Sequence, residues 1–333
     1  MARAIELAQK GCGHTRPNPA VGAVVVKNGR IIGEGWHRRA GGDHAEVAAI
    51  KNAGDCRGAT IYVTLEPCSK PGRVGACTDA IVAAGLVRVV YGAVDPNPTN
   101  RGKAARVLRR HGIACERFRD HPSPLIPHPS SLIPHPSPLI PRLTSLIAPF
   151  AKHVTTGLPF VTVKIAMSLD GRICDDFGVA RWVSGEKARQ MTGRLRERVD
   201  AIMVGAETVR RDNPSLLSHG KRNDDLIRVV VSKSGRLPKS AQVFTDGAPN
   251  RTLVFRDAKQ AIEELGKMGV MHVLCEGGLK LAVSLAESGL VDEWLTVLAP
   301  CVIGTRPIAD KIRFAGEDRL LATGAPVRKR VAR

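Results

Sequence analysis

Apolar positions along this chain recur first at helical and then at strand spacing, again and again, and the switches between the two periods mark out its elements. In the opening stretch, ARAIELAQKG places Ala4, Leu7 and Ala8 on one helical face and stops at Gly11. TRPNPAVG, with prolines on both sides of Asn18, reads as an extended loop. Two β-rich runs follow, AVGAVVVK and RIIGEGW, joined at Asn28-Gly29, the strongest short hairpin signal. HAEVAAIKNA predicts a helix opening at His44, with Val47 and Ile50 turned inward. ATIYVTLEPC predicts a buried strand, Ile61 to Leu65, and CTDAIVAAG a helix starting at Cys77. A further strand, an Asp95-Pro-Asn-Pro loop and a helix complete the plan, with Asp95 and Asn97 read as helix caps. Residues 1–120 are therefore expected to form a three-layer α/β/α domain, with a helix pair at one end of the sheet.

The pattern then breaks. HPSPLIP, HPSSLIP and HPSPLIP repeat from His121 to Pro141, and RLTSLIAP follows as a decayed copy. Proline at this density opposes both helix and ladder, so residues 121–150 are expected to be an extended spacer between domains. His121, His128 and His135 recur with the repeat, as the Leu-Ile pairs do, so a spacer explains them better than a metal tract.

Alternation resumes over residues 151–333. Val161 to Ile165 is a β-branched strand, and Ser184 is expected to cap a helix reaching about Arg198. DAIMVGAETVRRDNP and VLCEGGLKLAVSLAESG each read as strand, glycine turn, helix. Two such junctions suit the phosphates of a dinucleotide, because helix N-termini present free amides, although plain turn glycines would look the same.

Composition narrows the class. With 43% apolar and 24% charged residues the chain is globular, and nothing in it reaches the run of apolar residues that a membrane-spanning helix needs. The N-terminus has no signal-peptide core, so the cytoplasm is the expected location. Eight cysteines in that compartment read as metal ligands or reduced core residues. The net charge of +19 is spread along the chain, and aromatics are only 4%, so base stacking has little support and a phosphorylated small molecule accounts for the field as well as RNA does.

The candidate chemistry lies in the first half. His44, Cys68 and Cys77 can supply the three ligands of a catalytic zinc, with the fourth position left for water. Glu46, two residues after the histidine, is placed to take that water's proton. H-x-E followed by P-C and a further cysteine is the zinc-deaminase pattern. Asn18 would present its amide beside the metal.

Taken together, TRPNPAVG, HAEVAAI, YVTLEPC and VDPNP in the first half, with KIAMSLDGRI, VGAETVRRDNPSL and EGGLKLA…GLVDEW in the second, resemble the bifunctional riboflavin-biosynthesis deaminase/reductase family. The resemblance implies a cytidine-deaminase-like domain followed by a dihydrofolate-reductase-like α/β domain. It implies Zn2+ on His44, Cys68 and Cys77, with Glu46 as proton shuttle, acting on a diaminopyrimidinone ribosyl phosphate. In the second half it implies NADPH against Ala166, Trp182, Thr208, Asp212, Gly278, Leu279 and Lys280, with the substrate held by Arg196, Leu216 and Glu276. Ala180 stands at a usual substrate serine and His219 at a usual phosphate-binding arginine, with Arg222 nearby; Lys70 and Gly75-Ala76 are further departures. The expected partner is a phosphorylated pyrimidine, with neither nucleic acid nor membrane involved, and the expected assembly a homo-oligomer. Three other readings stay open: a nucleic-acid or nucleoside base deaminase with an appended domain, a scaffold whose zinc is closed by a fourth protein ligand, and a protein with one active half.

Overall fold

The computed structural model describes residues 1–70, 75–119, 139–177, 183–217, 226–246, 251–304, 312–313 and 319–323. The chain divides into two compact units, Met1–Thr156 and Gly157–Arg333.

The first unit runs α1 (Ala2–Gln9), β1 (Gly22–Lys27), β2 (Arg30–Trp36), α2 (Ala45–Ala53), β3 (Thr60–Leu65), α3 (Cys77–Ala83), β4 (Arg88–Ala93), α4 (Ala104–Arg110), β5 (Ala114–Arg117) and α5 (Leu139–Thr156). Its sheet has the order β2-β1-β3-β4-β5, with β1 antiparallel to both neighbours and the rest parallel. Asn28 and Gly29 both take positive φ, 52° and 73°, as the tight hairpin turn requires. Strand alternation sends Ala23 and Val25 into a core with Ala45, Ala49, Ile61, Ile81 and Leu108, while Val24 packs on the opposite face with Ala4 and Leu7. These two faces make the three expected layers.

Several local expectations are corrected. The buried residues of α2 are Ala45, Glu46 and Ala49; half-buried Ile50 packs against this core as expected, whereas Val47, also half-buried, is not among the residues packed on it. The cause is close approach: a Cβ on Gly33 would meet the Ala49 carbonyl oxygen at 2.3 Å, so only the small residues of α2 fit against β2. TRPNPAVG is turned rather than extended, since the Asn18 N–H donates to the Thr15 carbonyl (2.8 Å) and the Thr15 hydroxyl to the Asn18 carbonyl (2.9 Å). Neither Asp95 nor Asn97 caps α4, whose N-cap is Lys103; Asp95 instead accepts the Asn97 N–H (2.8 Å) and Asn97 the Thr99 N–H (3.0 Å).

The largest correction concerns the proline-rich stretch. Residues 120–138 lie outside the described residues, but Leu139–Thr156 is a helix, not an extended spacer. Leu143, Ile147 and Phe150 are buried at helical spacing along it. A Cβ on Gly92 of β4 would meet Leu143 Cδ2 at 2.6 Å, so a glycine in the sheet receives this leucine. Pro141 falls in the first turn, where a missing N–H costs nothing, and Pro149 removes one bond that burial of the apolar face outweighs.

The second unit comprises β6 (Phe160–Met167), α6 (Glu186–Arg196), β7 (Ala201–Gly205), α7 (Ala206–Asp212), β8 (Ile227–Val231), α8 (Gln242–Thr245), β9 (Thr252–Phe255), α9 (Ala258–Lys267), β10 (His272–Cys275), α10 (Leu279–Glu287), β11 (Glu293–Leu298), β12 (Cys301–Val302), β13 (Ile312–Arg313) and β14 (Arg319–Thr323). The main sheet has the order β14-β11-β6-β10-β7-β8-β9; only β14 is antiparallel, and β12 pairs with β13 apart from it. Ala201 and Met203 pack on the face covered by α9 and α10, while Ile202 and Val204 pack on the face that includes Val209 of α7. Gly185, not Ser184, is the N-cap of α6, without a side-chain bond, and the helix stops at Arg196. Among the described residues no helix is long and apolar enough to cross a membrane.

Candidate functional site

Three elements of the first unit bring the predicted metal ligands together. His44 is the N-cap of α2, Cys77 opens α3, and Cys68 follows the end of β3. His44 Nδ1 lies 3.1 Å from Cys77 Sγ and 3.6 Å from Cys68 Sγ, and all three atoms fall within 4.8 Å of one another. Tetrahedral bonds of about 2.0–2.3 Å place ligand atoms roughly 3.4–3.8 Å apart, so the donor set fits zinc in both chemistry and spacing. Among the described residues the cluster contains these three ligands.

The surroundings tune these groups. The Cys77 N–H donates to Cys68 Sγ (3.2 Å), and the Thr78 N–H to the Cys68 carbonyl (3.1 Å), so the start of α3 faces the Cys68 sulfur. Hydrogen bonds from Cys77 and then His44 hold the Cys68 thiol below the ordinary range, while the bond to Cys68 and burial push Cys77 up. Glu46 is 4% exposed, and burial, followed by the Cys68 charge, raises its carboxyl to about 7. A carboxyl poised there can both take and return a proton near neutral pH.

Asn18 reaches the site through a residue that the sequence reading missed. His37, buried at 2% exposure, approaches the Asp43 carbonyl with Nδ1 (2.9 Å) and Asn18 Nδ2 with Nε2 (3.1 Å). Burial lowers its pKa, so the ring is neutral: Nδ1–H donates to Asp43 and Nε2 accepts from Asn18. The ring also stands edge-on to His44, centroids 5.3 Å apart. Its only signal in the sequence was a histidine at the end of β2, shortly before H-x-E. Glu66, directly after the end of β3, accepts the N–H groups of Asp95 (3.2 Å), Gly102 (3.0 Å) and Ala104 (3.2 Å).

In the second unit a cleft of about 1420 Å³ is lined by Ala166, Thr208, Asp212, Gly278, Leu279, Lys280, Arg196 and Glu276, all of them predicted site residues. Gly205 and Gly278, the N-caps of α7 and α10, both line it, and their strands β7 and β10 are neighbours. The two strand-glycine-helix junctions therefore lie side by side, as a pyrophosphate needs. Arg196 and Glu276 form a bidentate pair, Nε to Oε1 at 2.6 Å and Nη2 to Oε2 at 2.9 Å. Leu216 is 2% exposed in the core with Val209 and Val230, has a φ of +58°, and is not among the residues that line the cleft. Its side chain follows the apolar core, and the neighbouring Ser215 takes the lining position. Lys164 and Arg189 also line the cleft and were missed, although a lone lysine within the apolar strand VTVKIAM was a usable signal. Ala180, Trp182, His219 and Arg222 lie outside the described residues.

Residues 1–93 match the family model described as the cytidine and deoxycytidylate deaminase zinc-binding region, and residues 159–321 match the RibD C-terminal domain. The riboflavin biosynthesis protein RibD of Synechocystis sp. is 36% identical over 338 residues, covering 91% of this chain and 84% of that protein. The chain belongs to the RibD family. RibD of Escherichia coli is 34% identical over 92% of this chain and 88% of its own length. Among solved structures, a diaminohydroxyphosphoribosylaminopyrimidine deaminase/5-amino-6-(5-phosphoribosylamino)uracil reductase from Thermotoga maritima superposes with a TM-score of 0.81 at 32% identity, covering 97% of this chain and 96% of that one. Acinetobacter baumannii RibD gives 0.78 at 32% identity, with 96% of each chain covered. As a RibD, this protein is a bifunctional deaminase/reductase of riboflavin biosynthesis, zinc-dependent in its first reaction and NADPH-dependent in its second.

Proposed function

We propose that the first unit deaminates a diaminopyrimidinone ribosyl phosphate through His44, Glu46, Cys68, Cys77 and Asn18, and that the second reduces the product's ribosyl chain to a ribityl chain. The observation that carries the first assignment is the convergence of the three donors beside the buried Glu46. His44 Nδ1 and the sulfurs of Cys68 and Cys77 would hold the zinc, which when bound supplies the Lewis acid that makes water a nucleophile near neutral pH. Glu46 takes the proton of the attacking water on its carboxylate and passes it to the departing nitrogen. A C–O bond forms, the C–N bond to the exocyclic amino group breaks, and ammonia leaves. With its Nδ2 committed to His37, Asn18 has Oδ1 left to accept an N–H of the pyrimidine and orient the ring.

For the second reaction NADPH, when bound, supplies the hydride. Ala166, Thr208, Asp212, Gly278, Leu279 and Lys280 would hold it, with the helix starts after Gly205 and Gly278 facing its phosphates. Arg196 and Glu276 would bind the substrate at the same cleft. The family resemblance adds Trp182 to the nucleotide contacts and Ala180 and His219 to the substrate contacts. It does the same for Leu216, which is buried beside Val209 and Val230.

We further propose that the protein acts in the cytoplasm, as a homo-oligomer, on small molecules and not on nucleic acid. None of the eight cysteines is in a disulfide, which suits a reducing compartment. Exposed Leu320 and Leu321 on edge strand β14 suit self-association. The deciding experiment measures ammonia released from the diaminopyrimidinone phosphate and from an oligonucleotide, then NADPH oxidation on the deaminated product. Release from the oligonucleotide alone would overturn the assignment.

A further inference from the structure

We propose that Asn100 is a positioning residue for the deaminase metal site, holding Cys68 in ligand geometry by bracketing it from both sides; this deepens the assignment of Cys68 as a zinc ligand and rests on it. Cys68 lies past the end of β3, where no strand ladder fixes the backbone. Its own carbonyl and sulfur accept N–H groups from Thr78 and Cys77 at the start of α3, but its two neighbours are held by Asn100.

Asn100 Oδ1 accepts both the N–H (2.8 Å) and the hydroxyl (2.9 Å) of Ser69, while Nδ2 donates to the Pro67 carbonyl (3.2 Å) and to Asp95 Oδ2 (2.9 Å). A primary amide has two donor hydrogens and two acceptor lone pairs, and here all four are engaged. The side chain is 6% exposed, so no water replaces these bonds cheaply. One planar group thus ties the residue before Cys68 to the residue after it. An aspartate could accept from Ser69 but could not donate to Pro67, and it would set a second carboxylate against Asp95.

The bracket is itself anchored. Glu66, 3% exposed and two residues before Cys68, accepts the N–H groups of Asp95, Gly102 and Ala104, so the loop carrying Asn100 is pinned at both ends to the strand end that carries the cysteine. Cys68 is therefore ordered before any metal arrives, and little ordering cost remains to oppose binding. Hydrogen-bond partners behind metal ligands commonly account for about ten- to hundredfold in metal affinity.

The test compares the full-length parent with Asn100→Ala, Asn100→Asp and, as a control in the same loop, Asn97→Ala. Three quantities are measured: zinc uptake and release to a chromophoric chelator, hydrogen exchange of the Ser69 amide in metal-free protein, and NADPH oxidation on the deaminated product. The Asn100 variants are expected to release zinc about ten- to hundredfold faster than the parent. They should also expose the Ser69 amide to exchange and leave NADPH oxidation unchanged, with Asn97→Ala behaving as the parent. If Asn100→Asp fails to fold, the small, uncharged Asn100→Ser carries the same comparison. A parent that holds zinc while the variants release it at the parental rate would overturn the proposal alone, as would equal acceleration in Asn97→Ala. A parent that takes up no zinc would sink the ligand assignment, and the proposal with it.

Discussion

Gly35 of β2 lies so close to Ala49 of α2 that a Cβ on the glycine would meet the Ala49 nitrogen at 2.3 Å. The atoms in the way are backbone, which cannot rotate aside. Gly35→Ala should therefore push α2 off the sheet and destabilise the first unit by about 1–3 kcal/mol, the usual cost of overpacking. Because α2 carries His44 and Glu46, ammonia release should fall while NADPH oxidation persists. Thermal unfolding with the two assays run side by side would check this.

Glu46→Gln keeps the size of the side chain and removes its basicity. Ammonia release should drop by about a hundredfold or more, the range of a positioned general base, with zinc content unchanged. Stripping the metal with a chelator should abolish the same reaction and leave NADPH oxidation on the deaminated product intact. Loss of both activities from either treatment would contradict independent sites.

The Arg196–Glu276 pair is nearly buried, with side chains 15% and 10% exposed. Glu276→Ala leaves the guanidinium without its partner, and breaking such a pair costs about 3–5 kcal/mol. The second unit should lose thermal stability and NADPH oxidation together. Arg196→Lys keeps the charge but loses the two-pronged fit, so it should retain more stability than Glu276→Ala and still reduce turnover, as circular-dichroism melts and steady-state kinetics would reveal.

His272 on β10 makes stability depend on pH. Burial holds its pKa at about 4, below the ordinary 6.5, and the ring is bonded to the Thr162 hydroxyl (2.9 Å), which donates on to Glu293 (2.9 Å). The folded protein keeps this histidine neutral, while the unfolded chain takes up a proton as pH falls below 6.5. Its contribution is therefore complete above 6.5, declines from there to about 4, and stays level below that. Denaturant unfolding of the parent across this range should be steeper in pH than that of His272→Gln.

Much of this protein was legible in its sequence. Local periodicity and turn chemistry marked the hairpin at Asn28-Gly29, the strands that end at Leu65 and Gly205, and the helices that begin beside His44 and at Cys77. Those depend on neighbours along the chain. The convergence of His44, Cys68 and Cys77 was legible too, because few residue types can bind such a metal and here they stand at the ends of predicted elements.

Contacts between distant segments decided the rest. That Leu139–Thr156 is a helix despite its prolines follows from burial of Leu143 against Gly92, a partner far back in the chain. That α2 buries alanines in place of Val47 follows from two glycines on β2. His37 and Asn100 are unremarkable in the sequence, and they acquire roles only because folding sets one beside Asn18 and the other across Cys68. A hydrogen bond between residues 31 positions apart, such as Asn100 to Ser69, leaves no periodic trace, so only the tertiary structure could decide it.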